Sequence, residues 1–246
     1  MLAEHVEKIL ASLKPEDIVL DVGGWACPFN RANYVLDAEP YETRGHYATI
    51  GMPAFQGTET EYFSQETWIQ RDICEKSPFP FPDHFFDFSI CSHTLEDVRD
   101  PLFVCSELVR VSKRGYIEVP SRLMESTRGC EAPSIAGLSH HRWLVEIADH
   151  HIQFTMKYHI MHSDFQLSFP ASFGQKIAPL DKVDFLFWEN NFTFAETTIH
   201  GADRIYENLR QYVAQRYAYP GYLRTAQKLN QLLTRGIKGL ERRLRA

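Results

Sequence analysis

Three aspartates close short apolar runs in the first third of the chain: Asp21 after IVL, Asp37 after YVL and Asp72 after WIQR. A carboxylate at a strand end can accept both hydroxyls of a ribose. The Gly23-Gly24 pair behind Asp21 lets backbone N–H groups come close to a ligand. Further on, His93 follows another apolar run, and His140-His141 stand together after a Gly-punctuated stretch. Imidazoles titrate near neutrality, so each of these three can take a proton from a hydroxyl or amine at working pH. Together these residues describe a nucleoside-bearing ligand held at strand ends, with a proton acceptor near it.

The elements that must position them can be read from pattern. Leu2, Val6, Ile9, Leu10 and Leu13 share one helical face, which predicts a helix over 2–13. Strands follow at 18–22, 34–37 and 68–72. The near-continuous apolar run 85–92 has the pattern of a strand buried on both faces. Asp100-Pro101 predicts a helix start, with Asp as the N-cap and Pro in the first turn, and Leu102, Cys105, Leu108 and Val109 as its buried stripe. A fifth strand runs over 115–120, in which Glu118 reads as a solvent-facing alternation residue and at most a weak site candidate. Strands separated by crossovers imply parallel pairing, and ligands then bind at the carboxyl ends of the strands.

After Pro120 a polar segment runs to Ser139, long enough to arch over those strand ends as a lid. It delivers His140, His141, Arg142 and Trp143 behind it. Alternating aromatic segments at 141–147, 152–158, 184–188 and 191–198 predict added antiparallel sheet. Glu189-Asn190-Asn191 reads as the hairpin turn between the last two. From Arg204 onward the pattern is helical, interrupted at Pro220-Gly221.

The string DICEKSPFPFPDHFFDFSICSHTLEDVRDP, residues 72–101, resembles the signature of class I S-adenosylmethionine-dependent methyltransferases. In that family an acid after the third strand precedes an LPFPD-x-SFD run, the fourth strand follows, and a shvLeHv-dp segment leaves it. The resemblance covers roughly residues 15–122. It implies S-adenosyl-L-methionine as cofactor, with Asp72 and Ile73 at the adenine and Asp37 at the ribose. Asp21, Gly23 and Gly24 would form the turn, and Ser92 would lie at the cofactor's edge. It also places His93 facing the cofactor; the alternative for His93 is a cap on the segment after strand four.

The chain departs from this family where its turn should open a helix. Only 16 residues separate Asp21 from Asp37, Trp25 replaces the second glycine, and CPFNRA is too short and Pro-broken for a crossover helix. The GxGxxG of dinucleotide enzymes is absent as well. A turn or a single helical turn is expected there, with the methionine end of the cofactor gripped differently.

Charge and composition bound the rest. The net charge is −6, yet ten Lys and Arg against three acids from His200 onward leave +7 there and −13 on residues 1–199. An acidic body argues against a nucleic-acid footprint. The five cysteines form no CxxC pair, which makes a reducing cytoplasm the default expectation. The 13% aromatic, 44% hydrophobic chain carries no run of bilayer length, and its N-terminus reads as an amphipathic helix rather than a signal peptide. The spacing of His140, His141, His150, His151, His159 and His162 fits no metal motif, so no metal is expected. Leu229, Leu232, Leu233, Ile237, Leu240 and Leu244 share one side of a basic C-terminal helix, predicting packing on the domain, a homodimer, or contact with an anionic membrane surface.

The expected fold is therefore α/β: a Rossmann-like, mostly parallel sheet with helices on both faces and a shortened first crossover, with added antiparallel strands and a C-terminal helical segment. The cofactor-binding core is expected over 1–122, the lid and added strands over 123–200, and the helical segment over 201–246. The expected activity is methyl transfer to a small or medium-sized acceptor. The alternatives are a catalytically silent S-adenosylmethionine-binding scaffold, or a nucleotide-sugar or dinucleotide enzyme, which the missing GxGxxG disfavours.

Overall fold

A computed structural model of the chain describes residues 1–221. The leucine-rich basic stripe expected over 222–246 lies outside the described residues.

The main sheet holds six strands: β1 (Val19–Val22), β2 (Tyr34–Asp37), β3 (Trp68–Gln70), β4 (Phe88–Ser92), β5 (Arg114–Pro120) and β8 (Val183–Glu189), in the order β3-β2-β1-β4-β5-β8. The first five pair in parallel and β8 is antiparallel to β5. The order reverses between β1 and β4, and the carboxyl ends of these strands form the crevice where open α/β sheets take ligands.

Strand residues alternate between two cores. Val19, Val35, Phe88, Ile90 and Tyr116 face helix α1 (Ala3–Ser12), packed with its Ile9. Leu20, Leu36, Cys91, Ile117 and Val119 face helix α2 (Pro101–Val111) on the other side. Asp100 caps α2 by accepting from the Phe103 amide at 3.1 Å, as its sequence predicts. The described chain also contains helices α3 (Arg122–Glu125), α4 (Ala171–Gly174) and α5 (Ala202–Ala214).

A second sheet of three strands, β6 (Trp143–Ala148), β7 (His151–Met156) and β9 (Thr193–Thr197), adds Val145, Ile152 and Phe154 to the α2-side core. Here two expectations are corrected. The turn at Glu189-Asn190-Asn191 is tight, with Asn190 at φ 63°, but it joins strands of different sheets. β8 pairs with β5, antiparallel, while β9 pairs with β7 and does so in parallel, so within the second sheet only β6 and β7 form an antiparallel pair. The segment expected as an arching lid is packed over its first turns: Arg122, Glu125, Ser126 and Thr127 are buried, and Thr127 bridges to Phe169.

Candidate active site at the carboxyl ends of the central strands

The missing crossover helix is replaced by two carboxylates and a distant loop. Oδ2 of Asp21 accepts from the Phe29 amide at 2.8 Å, and Oδ2 of Asp37 accepts from the Trp25 amide at 3.0 Å. With no helix between β1 and β2 these amides have no helical carbonyl to bind, and the carboxylates take that place. Segment 45–56, part of the long connection from β2 to β3, is stitched to the outer side of the turn. Gly45 N donates to Trp25 O at 2.8 Å, Tyr47 N to Ala26 O at 3.0 Å and Gln56 N to Pro28 O at 2.8 Å. The Trp25 ring stacks on His46 with centroids 4.8 Å apart, and its Nε1 donates to Thr43 O at 2.9 Å. Only glycine fits where the turn is pressed inward. Gly23 has φ 80°, and a Cβ on it would meet Thr94 Oγ1 at 2.2 Å; one on Gly24 would meet Asp21 Oδ2 at 2.2 Å.

The three strand-end aspartates therefore occupy different settings. Asp21 is buried, and that burial raises its carboxyl to about 7 against the pull of the Phe29 amide. Burial also raises Asp37, whose Oδ1 additionally accepts from Glu39 N at 2.9 Å. Asp72 is half-exposed. The slight burial it has would raise its carboxyl, but the Cys74 amide and the Arg99 guanidinium, 2.5 Å from Oδ2, hold it lower. Ile73 is part of the core, and Oγ of Ser92, at the exit of β4, is buried without a hydrogen-bond partner. Each oxygen of Asp37 has a second lone pair left to accept from a ligand. Unspent acceptors on Asp37 and an orphaned hydroxyl on Ser92, beside a glycine turn, are the groups a nucleoside ligand needs here.

Beyond the turn lies an acid–imidazole cluster. His93 leaves β4 at φ 54°, an uncommon conformation for a side chain with a Cβ. Its Nε2 lies 3.0 Å from Glu118 Oε1. Glu118 is fully buried, which corrects its reading as a solvent-facing residue. The start of α1 covers that end of β5, so alternation along the strand does not lead to water. The Leu2 amide donates to Glu118 Oε2 at 3.1 Å, the Tyr116 hydroxyl makes a short bond to the same oxygen, and the Met1 amino group lies 3.4 Å from Oε1. Burial would raise the Glu118 carboxyl, but His93, the Met1 amino group and Tyr116 outweigh it and hold the group far below the usual range. A neutral His93 facing this carboxylate carries its proton on Nε2 and keeps a lone pair on Nδ1.

His141 reaches the same place from the far end of the chain, because the amides of Arg142 and Trp143 donate to the backbone oxygen of Glu96 at 2.7 and 3.0 Å. Its Nδ1 lies 2.9 Å from Glu125 Oε1, and Glu125 Oε2 accepts from Lys157 Nζ at 2.5 Å. His140 is exposed; its ring touches that of His141 with centroids 4.6 Å apart but lies outside the buried array. The fold thus brings His93 and His141 together and leaves His140 on the rim. Glu96, Glu125 and Lys157 also belong to the cluster. Only Glu96 lies within the segment that carries the family resemblance, and no spacing pattern singles out any of the three. Among the described residues no group of three or more His, Cys, Asp or Glu is placed to hold a metal ion, and no helix is long and apolar enough to cross a membrane.

Residues 53–117 match a family model described as a methyltransferase domain, which bears out the resemblance to class I S-adenosylmethionine-dependent methyltransferases. Similar solved structures include a candidate methyltransferase from Bacillus halodurans (20% identity over 49% of this chain and 51% of that one, TM-score 0.33). Two others are S-adenosylmethionine-dependent methyltransferases. One, from Aquifex aeolicus, gives 20% identity, 48% and 64% coverage and a TM-score of 0.28. The other, from Methanosarcina mazei, gives 17%, 57% and 85%, and 0.33. The chain spans about half the length of the first of these. No curated protein matches it.

Proposed function

We propose that this protein transfers a methyl group from S-adenosylmethionine to a small or medium-sized acceptor. The observation that carries this reading is the Asp21–Gly23–Gly24 turn and Asp37 at adjoining strand ends, immediately before a segment that matches a methyltransferase domain. When bound, the cofactor supplies a methyl carbon made electrophilic by its sulfonium. In this reading Asp37 accepts from the ribose hydroxyls and Asp72 from the adenine amino group, sharing its carboxylate with Arg99. Ser92 offers its hydroxyl at the edge of the crevice. His93, oriented by Glu118, takes the acceptor's proton on Nδ1, and His141 and His140 stand behind it as further candidates. A proton acceptor positioned in this way contributes typically ~10²–10⁴-fold.

A silent cofactor-binding scaffold is the second reading. It stands because residues that bind the cofactor do not by themselves establish turnover. Titration calorimetry with S-adenosylhomocysteine, NAD and NADP tests the binding common to both readings, and heat from NAD alone would sink it. Screening extracts with methyl-labelled S-adenosylmethionine separates the two, because the scaffold transfers no label.

A further inference from the structure

Of the three buried glutamates around the exits of β4 and β5, two are paired and one is not. Glu118 holds His93, and Glu125 holds His141 and Lys157. Glu96 is 0% exposed, and neither of its carboxyl oxygens has a hydrogen-bond partner. Its Oε1 lies 3.8 Å from Nδ1 of His93 and 3.9 Å from Nε2 of His141. Each imidazole is anchored by an acid at its other nitrogen, so both present their free nitrogen to the same oxygen. A buried carboxyl left unbonded is costly, and where a fold retains one it calls for an explanation.

We infer that Glu96 is a proton site shared between His93 and His141, and that it acts as a positioning residue for the base at the rim. The inference rests on the methyl-transfer reading for its purpose but not for its geometry. With Glu118 and Glu125 ionised, the neutral imidazoles carry their protons on the outer nitrogens, and the two inner nitrogens are acceptors. A neutral Glu96 carboxyl is the donor that suits both. Burial, reinforced by Glu125, Asp97 and Glu118, keeps that carboxyl neutral well above the usual range. Tyr47 and Cys91 lie within electrostatic reach of it, both raised first by their own burial.

At 3.8 Å the Nδ1 lone pair of His93 is not spent on Glu96, so it is open to the acceptor. In the transfer, the acceptor atom forms its bond to the methyl carbon and the carbon–sulfur bond breaks with its electron pair left on sulfur. The acceptor's proton moves to His93 Nδ1. Glu96 then passes its own proton to His141 Nε2 and takes the one from His93. One proton has entered, Glu96 is again neutral, and the positive charge rests on His141 beside ionised Glu125.

Nitrogen NMR of the full chain labelled in its imidazoles, followed from pH 5 to pH 9, tests the shared site. The expected tautomers are Nε2–H for His93 and Nδ1–H for His141. Each ring should sense the other through the shared carboxyl, so His93→Asn shifts the His141 Nε2 resonance. Glu96→Gln should remove that coupling while both tautomers persist. Coupling that survives Glu96→Gln overturns the inference, as does a His141 Nε2 resonance indifferent to His93→Asn, which can be read even if Glu96→Gln fails to fold. Calorimetry with S-adenosylhomocysteine on the same samples keeps the two ideas apart. Coupled histidines without ligand heat overturn the methyl-transfer reading alone. Ligand binding with independent histidines overturns the shared proton site alone.

Discussion

The amide of Trp25 donates to Oδ2 of Asp37 across 3.0 Å, so the acid that ends the second strand holds the turn that leaves the first. A crossover helix would bind its own amides locally. Here two strand-end carboxylates and segment 45–56 do that work, and the expected ribose acceptor is also a structural tie.

Asp37→Asn separates these duties. Asparagine has one acceptor oxygen where the two amides of Trp25 and Glu39 use two. One amide is left unsatisfied, at about 1–3 kcal/mol of stability, measurable by urea unfolding. Loss of charged hydrogen bonds to a ribose should weaken S-adenosylhomocysteine by roughly 10-fold or more. Because burial raises the Asp37 carboxyl, wild-type affinity should also fall as pH drops and the carboxylate protonates. Wild-type affinity in the variant would place the ribose elsewhere.

Asp21→Asn should stabilise the protein at neutral and higher pH. The folded-state value of about 7 exceeds the ordinary 3.8, so below about pH 4 the carboxyl is protonated in both states. Between about 4 and 7 the unfolded chain ionises and the folded one does not, so wild-type stability falls as pH rises through that window. Asparagine keeps an oxygen for the Phe29 amide and removes the titration. Its gain should reach at most ~4 kcal/mol at pH 8 and vanish below pH 4. A loss of stability at pH 8 would mean that Asp21 is held ionised.

Glu125 and Lys157 test the buried pair behind His141. Their side chains are 3% and 2% exposed, so Glu125→Gln leaves a buried ammonium without its counter-charge and should cost about 3–5 kcal/mol. Glu125→Gln combined with Lys157→Met should recover much of that loss, giving a coupling energy well above 1 kcal/mol in a double-mutant cycle. Additive losses would show that the two charges are solvated independently.

How much of this was legible depended on where each residue's partners lie in the chain. The runs at 19–22, 34–37 and 88–92 are apolar because both of their faces are covered, and Asp100 caps its helix through an amide three residues away. Such signals are local. The exit of β8 misled because Asn190 does adopt the turn conformation, while the partner strands lie far back in the sequence. Glu118 misled because alternation says which face a residue takes but not that α1 begins over that face. Glu96 lies in the segment of family resemblance, but its role was not legible there, since one of its two imidazoles arrives 45 residues later.

The corner at Glu189-Asn190-Asn191 has a kinetic consequence. β8 must find β5 across a gap that runs from Pro120↔Val183 to Arg114↔Glu189, and β9, joined to it by this corner, must find β7 in the second sheet. Closing loops of that length is slow compared with forming local turns. The last two strands should therefore dock late and together. Until they do, the β5 edge is an open row of backbone donors and acceptors, and the refolding chain is most exposed to pairing with another copy of itself at that stage.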